Sequence, residues 1–183
     1  MTNNQDLVQV EYNKYQNLPL LSYNIISYLI DNNDLIFKLL KYDDSYAFNK
    51  ANLTLQEKID LVYKGQIDTN SYRIFLDFGS DASILSESTM LRISPLEVLP
   101  SNYVYGWTTM AFEVYSHFKT NTMANYQTKV DTIVQQLLET LNGADIQDVG
   151  RLVFDPKMRN RITVLGSIPI KGKLLTLCNY SLK

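Results

Sequence analysis

One histidine, one cysteine and scattered carboxylates are the acid–base, nucleophilic and metal-binding groups offered by this 183-residue chain. His117 lies on an alternating stretch with Glu113 and Tyr115, so the three side chains are expected on one face of a strand. A Glu–His pair there is suited to general acid–base work, and a small hydrolase or nuclease using Glu113 and His117 is one reading. The competing reading is a half-exposed polar histidine on a strand, favoured because no nucleophile or second ligand accompanies it. Cys178, in another alternating stretch, is expected to be a core residue. One cysteine and one histidine cannot supply the roughly four ligands of a zinc site.

The carboxylates fall at turns and caps: Asp31 and Asp34, Asp43 and Asp44, Asp145 and Asp148. Turn chemistry accounts for them, and none matches a calcium loop. The chain has no Gly-rich phosphate loop, dinucleotide fingerprint or nucleophile elbow. The expectation is a non-catalytic protein with no cofactor and no metal. Lys157, Arg159 and Arg161 form the one basic cluster, with Arg151 before it and Lys171 and Lys173 after it. These residues lie near predicted strand ends, where they could contact DNA phosphates if that end lined a pore. A solvated or salt-bridged loop is the simpler reading, because no aromatic residues are interleaved for base stacking.

The elements that position these groups follow from periodicity. Residues 1–17 carry Val8, Val10, Tyr12 and Tyr15 without a clear period and are expected to form a flexible arm. Residues 18–183 read as one domain. Pro19 precedes a helical pattern of Leu21, Ile25, Tyr28 and Leu29. The tetrad 31–34 interrupts it and can cap a second helix with Leu35, Ile36, Leu39 and Leu40. Thr54 and Glu57 form a capping box for a third, which Gly65 terminates. Residues 72–78 alternate as a strand. Pro95 and Pro100 restrict the next apolar stretch to an edge strand or an irregular path. Over 104–118, Met110, Phe112, Val114 and Phe118 share a predicted core face. Trp107 and Tyr115 share the other, a candidate contact surface. Residues 123–142 predict an amphipathic helix with Tyr126, Val130, Ile133, Val134, Leu137 and Leu141 on its apolar side, closed by Gly143. Strands are expected near 150–154, 161–165 and 173–180. There Leu175 and Leu177 would offer a sheet edge to a partner. Helices and strands are segregated, which predicts an α+β fold: N-terminal helices, then a mostly antiparallel sheet packed against one long amphipathic helix.

A hydrophobic content of 45% and a charged content of 20% are globular values, and the net charge of −2 gives no overall attraction to nucleic acid or anionic lipid. The N-terminal residues show no secretory pattern, and no apolar run reaches membrane-spanning length, so no membrane partner is expected. A single cysteine fits folding in a reducing cytosol. The 13 tyrosines against one tryptophan favour interfaces, since Tyr joins an apolar ring to a polar tip.

The run LIFKLLKYDDSYAFNKANLTLQEK, Leu35 to Lys58, resembles a segment of tailed-phage structural proteins. The strand block before one amphipathic helix, the closing segment with Val149-Gly150-Arg151-Leu152, and the turn Ile170-Lys171-Gly172 are similar to tail-terminator and head–tail neck proteins. The resemblance implies a ring-forming virion protein between portal and tail, made in the host cytoplasm. Its partners would be copies of itself, adjacent portal, neck or tail proteins and, non-specifically, packaged DNA. A non-virion adaptor of tail assembly is the related alternative.

Overall fold

The computed structural model describes residues 18–65, 71–76, 87–100, 106–154, 161–165 and 170–180; for 96–100, 106–107, 154, 161–165, 170–180 and Leu18 it describes the backbone alone. The expected arm, 1–17, lies outside the described residues, as do Lys157 and Arg159.

Three helices open the described chain: α1 (Leu21–Asn32), α2 (Asp34–Lys41) and α3 (Leu55–Asp60). Asn33 separates the first two. Its Oδ1 accepts from Ile36 N at 3.0 Å and starts α2, while its Nδ2 donates to Gln136 Oε1 and Thr140 Oγ1. The Thr54–Glu57 capping box is present, with Thr54 N donating to Glu57 Oε2 at 2.8 Å and Glu57 N to Thr54 Oγ1 at 3.3 Å. Helix α3 ends at Asp60, so Gly65, with φ +85°, does not terminate it as the sequence predicts. A short helix α4 (Phe118–Asn121) and then α5 (Lys129–Leu141) follow the central strands.

The strands are β1 (Ile74–Phe75), β2 (Thr89–Pro100), β3 (Gly106–His117), β4 (Asp145–Ile146), β5 (Gly150–Phe154), β6 (Arg161–Leu165) and β7 (Ile170–Tyr180). They form one sheet in the order β1-β2-β3-β7-β5-β4, with β6 also on β7. Among the described strand pairs, β1–β2 alone is parallel. The fold is therefore α+β with a mostly antiparallel sheet. Strand β3 pairs with β7 without a register shift from Trp107↔Tyr180 to His117↔Ile170. The other edge of β7 is shared: β5 covers 177–180 and β6 covers 170–174. Six residues, 155–160, connect Phe154 to Arg161, whereas only Leu175 and Thr176 separate their partners Leu177 and Leu174.

The helices cover one face of the sheet. Leu91, Ile93, Phe112 and Val114 from that face are fully buried with Ile25, Leu29, Phe37, Leu40, Ile133 and Leu137. The middle of the other face is closed by the chain as well: Met90, Arg92, Ser94 and Ala111 are buried.

Several expectations change. Helix α5 has 13 residues and α1 has 12, so no single long helix dominates. The helix predicted over 123–142 begins at Lys129, because Thr128 Oγ1 accepts from Asp131 N at 3.1 Å and sets the cap there. Lys129, the first residue of α5, is fully buried. Strand β2 is interior where β1 pairs with Leu91 and Arg92. Its two prolines lie further along, where β3 is its one neighbour among the described residues, with a register shift between Pro95 and Glu97. Strand β7 has β3 on one edge and β5 and β6 on the other, so Leu177 does not present a free edge for strand addition, and Leu175 lies in the two-residue gap between β5 and β6.

Candidate functional site

The two residues proposed for acid–base work are not assembled. Glu113 and His117 are four apart on one extended strand, which separates them by about 13 Å at ~3.3 Å per residue. His117 instead serves its own backbone. Its Nδ1 accepts from Lys119 N at 3.4 Å and caps α4, with its ring 4.7 Å from that of Phe118. Glu113 is opposite Arg92 on β2 and Leu174 on β7. The Arg92 guanidinium lies between the Phe75 and Tyr115 rings, 5.8 and 6.0 Å from their centroids. Tyr115 is therefore half-buried and engaged within its own chain. Trp107 is at one end of β3, paired with Leu99 and Tyr180. Arg161 opens β6 opposite Leu174, and the segment holding Lys157 and Arg159 joins the two strands aligned on β7. Cys178 faces Thr109 and Val153 in mid-sheet register. Among the described residues no cluster of His, Cys, Asp and Glu could hold a metal, and no helix is long and apolar enough to cross a membrane.

Two buried lysines organise the helical layer instead. Lys58 Nζ donates to Ile30 O in the last turn of α1 and pairs with Asp34 Oδ1, both at 2.6 Å. Lys129 Nζ donates to Tyr42 O, the cap of α2. Each puts a cation at the negative end of a helix. Beside Lys129, Asp43 meets Arg73 Nη2 at 3.4 Å, tying the turn after α2 to the start of β1. Burial pushes the Asp43 carboxyl above its ordinary range, more than Arg73 and Lys129 pull it down. Burial likewise lowers Lys129, against the attraction of Asp43 and Asp44. Turn geometry explains Asp44, whose Oδ1 accepts from Tyr46 N at 2.8 Å.

The feature that calls for a functional account is Tyr126. It stands in the turn between α4 and α5, 95% exposed, with φ +64°. Tyr126 N donates to Met123 O and Met123 N to Gln127 O, and Thr122 and Thr128 bridge at the base. Ala124 N donates to Ser45 O at 2.9 Å, which brings this turn against 43–46 and the exposed Tyr46. Phe118, also exposed, opens the short helix that leads in. Periodicity misses this surface by counting Tyr126 in a helical stripe. The cap pattern Thr128-x-x-Asp131 was the signal that excludes it from the helix.

The YomW family model matches residues 32–165, well over half of the chain, and the protein belongs to that family. This is a phage-derived family of the Bacillus prophage type, so the protein is phage-related. No curated protein and no solved structure matches the chain.

Proposed function

We propose that this protein is a structural component of the phage particle that assembles with copies of itself, as a neck, head–tail connector or tail-terminator ring joining portal and tail. Membership of a phage-derived family supports the setting. The observation that carries the contact role is Tyr126, almost fully exposed on a left-handed turn beside a second exposed tyrosine. Tyrosines of this kind act as anchors at protein interfaces, where the ring is desolvated and the hydroxyl keeps a partner. In the assembled ring the segment with Lys157, Arg159 and Arg161 would face an adjacent ring or the DNA-filled lumen, where cations meet phosphates. The test is mass spectrometry of gradient-purified particles. A stoichiometric, salt-resistant band of this chain is expected. Its absence from particles whose assembly still requires it would select the adaptor role instead.

A further inference from the structure

We draw no further inference here: the strongest candidate, the apolar groove between α1 and α3 walled by Tyr23, Ile26, Leu55 and Ile59, carries nothing because nothing in the structure shows what covers it.

Discussion

Tyr126 gains nothing in the isolated chain from either its backbone or its ring, since it combines φ +64° with 95% exposure. A left-handed L-residue costs on the order of 1–2 kcal/mol, and glycine relieves that cost. Tyr126→Gly should therefore leave stability unchanged or raise it by up to about 1 kcal/mol in urea unfolding, after the added freedom of the unfolded chain is offset. A loss of more than about 1 kcal/mol would mean that the ring has a structural partner. Asp43 yields a prediction of opposite sign to the usual carboxylate. Its folded-state pKa is raised, so the folded chain holds the proton more tightly, and Asp43 favours folding more as pH falls through the window just above 3.8. Asn mimics the protonated group. The stability gap between Asp43→Asn and wild type should favour Asn at neutral pH and close on acidification. A gap that widens toward acid would show that the charged Asp43 is net stabilising. Neither residue was legible as such: the raised Asp43 carboxyl comes from burial in the tertiary fold, against the pull of Arg73 and Lys129, 30 and 86 positions away in sequence.

Helix ends were legible because their chemistry is local. The Thr54–Glu57 box and the stop at Gly143 need only a few neighbouring residues, and each is where the sequence puts it, whereas α3 ends at Asp60, well before the expected stop at Gly65. The start of α5 was missed because an apolar period was extended past the Thr128 cap. The register of β3 between β2 and β7 could not be read locally, since a strand's pattern shows which face is buried but not which neighbours it takes. That pattern did identify Met110, Phe112 and Val114 as core, and all three are buried beneath the helices, but it also counted Phe118, which lies past the strand's end on a short helix and is exposed. Leu137 of α5 is fully buried in the same cluster. Leu137→Ala should cost about 2–5 kcal/mol by lost transfer energy and a residual cavity. A measured loss below ~0.5 kcal/mol would place Leu137 outside the core.

At the scale of the whole molecule, segregated helices and strands made the α+β class legible, because such order disfavours alternating crossovers. The site was less legible. Trp107, Tyr115, Leu175 and Leu177 were chosen on strand pattern alone, and the sheet encloses β7 and sets the Tyr115 ring on Arg92. The exposed turn at Tyr126 emerges only from tertiary packing, since it is braced by Ser45. A closed ring also requires the particle axis to provide matching rotational symmetry, and low concentration favours separate chains until a template gathers them. The central claim is therefore tested most directly by electron-microscopic reconstruction of intact particles of the phage that encodes this chain. The account predicts a ring of this protein on the head–tail axis with successive copies in head-to-tail contact. A complete neck and tail reconstructed without this chain would contradict it.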